Sequence, residues 1–206
     1  MGAAKDPAKS AETRAKLLDG ALRTLTEQGI AKASARNIAA AAGVNQALVF
    51  YHFGSVDDLL AAACRHGTEQ RVSLYRERLA EIGSLSELLA FGREMHEAER
   101  AAGHVAVLGQ LLAGAQTQPR LAAATAAGLA LWIEEIEKVL TRVLSTSPLA
   151  EFVDPVGLAR AVGASFVGME LYEGVREPHR QRLLGVLRLE LTRPARTRPP
   201  GHTPPV

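Results

Sequence analysis

The chain has one cysteine, Cys64, which excludes an internal disulfide and makes an intracellular protein the default expectation. A long hydrophobic run is missing too. The longest nearly uninterrupted apolar stretch, Leu121 to Ile133, falls short of the roughly 18 to 20 residues that span a bilayer. No positively charged start leads into an apolar signal segment. A soluble, cytoplasmic protein with no membrane partner is therefore expected. Excess charge of one sign is equally scarce, with a net +2 over 206 residues and seven basic against six acidic side chains in the first sixty. Electrostatics thus permits nucleic-acid binding without arguing for it.

Strand patterning is absent: apolar residues recur at three and four, and no alternating β-branched run is bounded by turns. Catalytic signatures are absent as well, with no HExxH, no GxSxG and no glycine-rich phosphate loop. The one carboxylate and histidine cluster, Glu94, His96, Glu97 and Glu99 with His104, lacks the Glu-x-x-His spacing of a di-iron bundle and reads as a solvated helix face. No enzyme, cofactor or metal site is expected. Cys64 reads as an inert core thiol.

What is present is helical punctuation. Leu17, Ala21 and Leu25, flanked by Leu18 and Leu22, form one apolar stripe from Ala11 to Gly29. There a glycine followed by Ile30 predicts a Schellman stop with Ile30 against Leu25. Ser34 is a competent N-cap for a second helix of about two turns, whose face of Ile38, Ala39 and Ala42 ends at Gly43 and Val44. Small residues at Ala39, Ala40 and Ala41 let another helix approach. Asn45 then caps a third helix, with Val44, Val49 and Phe53 inward and Asn45, Gln46, Ala47, Leu48, Phe50 and Tyr51 partly outward. Ser55 and Asp58 have capping-box spacing before a long helix from Val56 to about Leu79. From spacing alone, the helix-glycine-helix unit fits a DNA reader or an ordinary packing corner, and Leu48 and Phe50 fit a buried position as well as a DNA face.

Five further helices are predicted, over about 84–100, 104–116, 119–144, 155–174 and 178–191, with Gly103, Pro119, Pro148, Pro155 and Pro178 at the junctions. The segment from Arg193 to Val206, rich in proline and arginine and without an acid, is expected to be a disordered tail. The fold class is all-α with about nine helices. Its divisions are a three-helix helix-turn-helix domain over 10–55, a helical effector-binding and dimerisation domain over 56–192, and the tail over 193–206.

Thr13 to Leu60 resembles the N-terminal domain of the TetR family of bacterial transcription regulators. Ser34 stands where the family often has Thr. Ile38-Ala39 and Ala42-Gly43-Val44 match its IA and AGV signatures, and Tyr51-His52-Phe53 falls on its aromatic-His-Phe ending, followed by Leu59-Leu60. Beyond Leu79 only the helical layout is similar. The resemblance implies a homodimeric, ligand-responsive repressor whose paired recognition helices enter successive major grooves, about 34 to 36 Å apart, of a palindromic double-stranded operator. It also implies the DNA-facing set Ser34, Arg36, Asn45, Gln46, Ala47, Leu48, Phe50, Tyr51 and His52. Gln46 suits adenine, Asn45 does so where it is not consumed as a cap, and Arg36 suits guanine O6 and N7. Ala47 and Leu48 suit a thymine methyl, while Tyr51 and His52 suit phosphate. Leu48, Phe50 and Val56 replace a common Thr or Ser, Tyr and Lys, each removing a backbone-gripping group. Compensation is expected from Arg36, Lys32, Tyr51, His52 and the basic segment around Lys5 and Lys9. A helical small-molecule-binding protein with weak or lost DNA binding is the alternative.

For dimerisation, the sequence offers Leu158, Val162 and Phe166 with Met169 on one stripe, and Leu183, Leu187 and Leu191 on another. For a pocket that takes a hydrophobic or amphipathic effector, it offers polar or aromatic residues on apolar faces: Met95, His96, Glu99, Gln110, Gln116, Trp132, Glu135, Phe166, Met169 and Tyr172. The helix from Val56 to Leu79 is the expected lever between pocket and DNA reader.

Overall fold

A computed structural model describes residues 7–145, 147–169 and 171–172. Among them there are eight α-helices and no strands. They are α1 (Pro7–Gln28), α2 (Ala35–Ala42), α3 (Ala47–Phe53), α4 (Val56–Glu81), α5 (Leu85–Ala101), α6 (His104–Ala115), α7 (Pro119–Leu144) and α8 (Pro155–Met169). Short 3-10 turns occupy Ile30–Lys32 and Pro148–Glu151. The expected helix over 178–191, with Leu183, Leu187 and Leu191, lies outside the described residues, as do the tail and Lys5. No single helix is long and apolar enough to cross a membrane.

Helices as short as α2 and α3 are unstable alone and hold only through packing. Leu17, Leu18, Ala21 and Leu25 of α1 form one buried core with Ile38, Ala39 and Ala42 of α2, Val49 of α3 and Leu59, Leu60 and Ala63 of α4. α1 and α2 approach closely because Gly20 lacks a side chain: a Cβ there would stand 2.8 Å from Ala42 Cβ and 3.0 Å from the Ile38 carbonyl oxygen. Arg14 lies over the Phe53 ring, 5.0 Å from its centroid, and ties α1 to α3.

The two glycine stops differ. Gly43 is left-handed (φ 66°, ψ 32°), and Val44 N–H returns to the Ala39 carbonyl at 3.0 Å, as a Schellman motif requires. Gly29 has φ 84° but an extended ψ of 165°, a region open essentially to glycine. Its own N–H returns to Leu25, yet Ile30 N–H is turned away from α1 and donates to Gln110 Oε1 of α6 at 2.6 Å. The Schellman hydrogen bond expected of Ile30 N–H is thus replaced by a long-range one, while the Ile30 side chain packs against the core that contains Leu25.

Ser55 accepts the Asp58 N–H at 3.0 Å as the expected N-cap, and the Asp58 carboxylate reaches back to the Ser55 hydroxyl at 2.7 Å rather than to its backbone N–H. That hydrogen bond and the Arg120 guanidinium hold the Asp58 carboxyl below its usual range. The break between α3 and α4 bends the chain by 68° and sends α4 back through the molecule. α4 packs against α1 at one end and along α7 over much of its length. Its far end is closed by Arg142, which donates to the carbonyls of Leu79 (2.8 Å) and Ile82 (2.9 Å). A second core of Leu79, Ile82, Phe91, Val139 and Val143 gathers Tyr75, Met95 and Trp132, and a third of Leu140, Leu144 and Ala159 seats α8 on α7.

Candidate nucleic-acid interface and effector region

The helix-turn-helix is built so that its scaffold is buried and the residues expected to face DNA are not. Ser34 accepts the Asn37 N–H at 3.3 Å, and Asn37 Nδ2 donates to the Lys32 carbonyl at 2.8 Å, which fixes the start of α2. That cap leaves Arg36 on the exposed side, beside buried Ala35 and ahead of buried Ile38. At the start of α3, Asn45 Oδ1 accepts the Ala47 N–H at 2.8 Å. Asn45 is therefore the cap the sequence predicts, and its amide oxygen is engaged in holding the helix. Gln46 and Ala47 are exposed, and Phe50 and Tyr51 are each about half exposed, on the side opposite fully buried Val49. Leu48 packs partly against the core, while His52 is half-buried with its ring 4.9 Å from that of Tyr51.

Ser34, Arg36, Asn45, Gln46, Ala47, Phe50 and Tyr51 thus lie exposed on one unit of three packed helices, with Leu48 and His52 at its margin. Only Arg36 of these nine carries a fixed positive charge, and exposed Lys32 stands nearby in sequence. Gln46 and Arg36 can offer bidentate hydrogen bonds to base edges, and Phe50 and Tyr51 offer apolar and phenolic contact.

The residues expected to line a pocket are dispersed. Met95 and Trp132 are in the second core, where Trp132 stands 6.1 Å from Tyr75. His96 meets Phe166 edge to face at 5.9 Å, joining α5 to α8. Glu135 is buried and pairs with Lys138 at 2.9 Å. Gln110 is taken by Ile30, Gln116 is exposed at the end of α6, and Met169 and Tyr172 are exposed at the end of the described chain.

Glu99 does face a cavity. An open groove of about 380 Å³ lies between α4, α5 and α6, lined by Gln70, Arg71, Leu74, Tyr75, Ala98, Glu99, Ala102 and His104. In its wall Arg71 Nε donates to Glu99 at 2.6 Å, the Tyr75 hydroxyl donates to the other oxygen at 2.8 Å, and His104 Nδ1 lies 3.3 Å from the carboxylate. Burial, then the Arg71 charge, pushes the His104 pKa down, while burial and Glu99 push the Tyr75 hydroxyl up. Arg71 and Tyr75 escaped the sequence reading, because pairing across 28 and 24 residues leaves no periodic trace. Glu94 is paired separately with Arg78. Among the described residues no group of three or more His, Cys, Asp or Glu is placed to hold a metal ion. Cys64 is buried beside Thr125, and burial pushes its thiol pKa up.

On the expected dimer stripe, Leu158 packs toward α7 and Phe166 toward His96, while Val162 is exposed. Met169, Leu171 and Tyr172 are exposed as well.

Residues 17–63, which contain α2, α3 and most of the packing that supports them, match the family described as bacterial regulatory proteins, tetR family. The HTH-type transcriptional repressor Rv1474c of Mycobacterium tuberculosis is 36% identical over 80 residues, 39% of this chain and 42% of that protein. The chain spans about half the length of the curated relatives it matches. The transcriptional regulator FadR of Bacillus subtilis, solved in complex with stearoyl-CoA, shares the fold at a TM-score of 0.68 and 17% identity, over 80% of this chain and 88% of that one. The multidrug binding protein EbrR, solved with imidazole, is 28% identical at a TM-score of 0.58, over 77% and 82% of the two chains. The helix-turn-helix segment, residues 17–63, is thus matched in sequence to the tetR family of bacterial regulatory proteins, and the helices beyond it are similar in fold to those of solved regulators.

Proposed function

We propose that the protein is a sequence-specific DNA-binding transcriptional regulator, a ligand-responsive repressor that grips a palindromic operator as a homodimer. The observation that carries this reading is the exposed face of Arg36, Gln46, Ala47, Phe50 and Tyr51 on helices whose opposite sides are fully buried. Surface glutamine and arginine at the start of short, capped helices are placed to meet base edges, whereas a packing corner would bury them. Dimerisation is supported by exposed apolar residues on α8 and just after it, Val162, Met169, Leu171 and Tyr172. Responsiveness to a small molecule is supported by the groove between α4, α5 and α6, and by proteins of the same fold solved with stearoyl-CoA and with imidazole. In that groove Leu74 and the alanines 98 and 102 offer apolar contact, and Gln70 and His104 offer polar contact, which suits an amphipathic effector.

The test is a mobility shift with DNA flanking the protein's own gene, run with wild type, Arg36→Ala and Gln46→Ala. Wild type is expected to give a discrete, sequence-dependent complex. Each variant should weaken it by the ~1–3 kcal/mol that one bidentate base contact supplies, without loss of helical content. Absence of any sequence-dependent complex, there and in a selection from the whole genome, would sink the proposal.

A further inference from the structure

α4 is not the only connection between the helix-turn-helix and the helices beyond it. Two side chains of the α6–α7 corner reach the unit at separate points. Gln110 Oε1 accepts the Ile30 N–H, which the extended ψ of Gly29 turns out of the α1 hydrogen-bond pattern. The same oxygen lies 3.4 Å from where a Gly29 Cβ would stand, and Ile30 Cδ1 comes within 2.9 Å of a Cβ at Gly114, so the seam is tight. Arg120, in the first turn of α7, pairs with Asp58 in the first turn of α4. Ile30 stands just before the DNA-facing helices and Asp58 just after them. One corner therefore holds the chain where it enters the unit and where it leaves.

We propose that the α6–α7 corner, through Gln110 and Arg120, fixes the orientation of the helix-turn-helix on the rest of the protein, with Gln110 a positioning residue for operator binding. The inference rests on the DNA-binding reading above. Val107 and Leu111 of α6 and Leu121 and Ala124 of α7 share the buried core of α1 and α2, but apolar packing is non-directional, and the two polar points on either side of the readers set the angle at which that seam closes. Operator binding demands both recognition helices at a fixed spacing, so residual swivel must be frozen out when the specific complex forms. Sequence-independent contact with phosphates makes no such demand. Loosening the corner should therefore weaken specific binding selectively.

Gln110→Leu, Gln110→Glu and Arg120→Ala, each in the full chain, separate the possibilities. Leucine removes the acceptor, whereas glutamate keeps an acceptor oxygen in either protonation state. The Arg120 side chain is 67% exposed, so its replacement leaves the core untouched. Affinity is measured for an operator selected from genomic DNA with the wild type, and for a random-sequence duplex. Gln110→Leu is expected to lower operator affinity about three- to tenfold, the worth of one hydrogen bond. Arg120→Ala should lower it about two- to threefold, with the difference fading in high salt. Random-duplex affinity should be unchanged in both, and Gln110→Glu should stay within about twofold of wild type. Amide exchange at Ile30 should quicken in Gln110→Leu and not in Gln110→Glu.

Wild-type operator affinity in Gln110→Leu with a deprotected Ile30 amide overturns the proposal. So does a Gln110→Glu as weak as Gln110→Leu, or an equal loss on operator and random duplex. If Gln110→Leu does not fold, Arg120→Ala decides: unchanged operator affinity at low salt overturns the proposal. A wild type that selects no sequence removes the regulator reading itself, and does so before any variant is compared.

Discussion

Gly20 and Gly43 both exclude a side chain, for opposite reasons. At Gly20 the obstacle is space, since a methyl group would press on Ala42 and on the Ile38 carbonyl. At Gly43 there is open space but a left-handed backbone. Gly20→Ala should therefore cost ~1–3 kcal/mol through overpacking, and Gly43→Ala ~1–2 kcal/mol through backbone conformation alone. A Gly43→Asn variant should recover much of the second loss, because asparagine tolerates the left-handed region. Urea unfolding of the three variants checks this, and equal losses in Gly43→Ala and Gly43→Asn would show that the φ of Gly43 is not the cause. His104 gives a residue-scale pH dependence. Its folded pKa lies below the ordinary 6.5, so the unfolded chain binds the proton more readily. The stability tied to its neutral form is complete above about 6.5 and is lost as pH falls through that value toward the lower folded pKa. In thermal melts from pH 7.5 to 5, His104→Gln should lose Tm less steeply than wild type. A parallel pair of curves would mean that His104 does not titrate as its surroundings dictate.

At the scale of elements, helix starts and stops were legible in the sequence wherever local chemistry sets them. Ser34, Asn45 and Ser55 cap as expected, and Gly43, Gly103, Pro119 and Pro155 mark real boundaries. α1 starts at Pro7, a turn before the Ala11 that periodicity suggests, because its first turn is exposed and bears no apolar stripe. Gly29 misled for a more instructive reason. The sequence shows a glycine and an isoleucine, which is all a Schellman stop needs, but the ψ of Gly29 is set with Gln110, 80 residues from its partner Ile30. The same limit applies to the candidate site. The exposure of Arg36, Ala47 and Tyr51 on α2 and α3 follows from helical phase, whereas the assignments of Glu99, Gln110, His96 and Trp132 depended on partners that no spacing reveals. Glu99 is held by Arg71 and Tyr75, and His96 by Phe166, so residues chosen as ligand contacts also join helices to one another.

For the whole molecule, the small net charge and the sparse cations of the reading face bear on how binding depends on salt. If Lys32 and one or two further cations meet phosphates in each protomer while Arg36 meets a base, a dimer neutralises roughly four to six, and the slope of log K against log salt should be roughly −4 to −5. Titrations between low and moderate salt measure it directly. A slope near −10 would mean that cations outside the described residues carry the grip. The proposed two-point seam at Ile30 and Asp58 belongs to the same scale, because a weakly charged face must present its few contacts in the right orientation from the outset.

The cap at Asn45 has one more consequence, for information rather than energy. An asparagine whose amide oxygen holds Ala47 in place cannot also use that oxygen freely to tell one base from another. Under the proposed reading, each half-site is then discriminated by Gln46 and Arg36 with help from apolar contacts, so few of its positions are strictly constrained. Such an operator is a short and forgiving word. A bacterial chromosome holds many near-spellings of it, and true sites would be set apart by the spacing of paired half-sites more than by the letters within each.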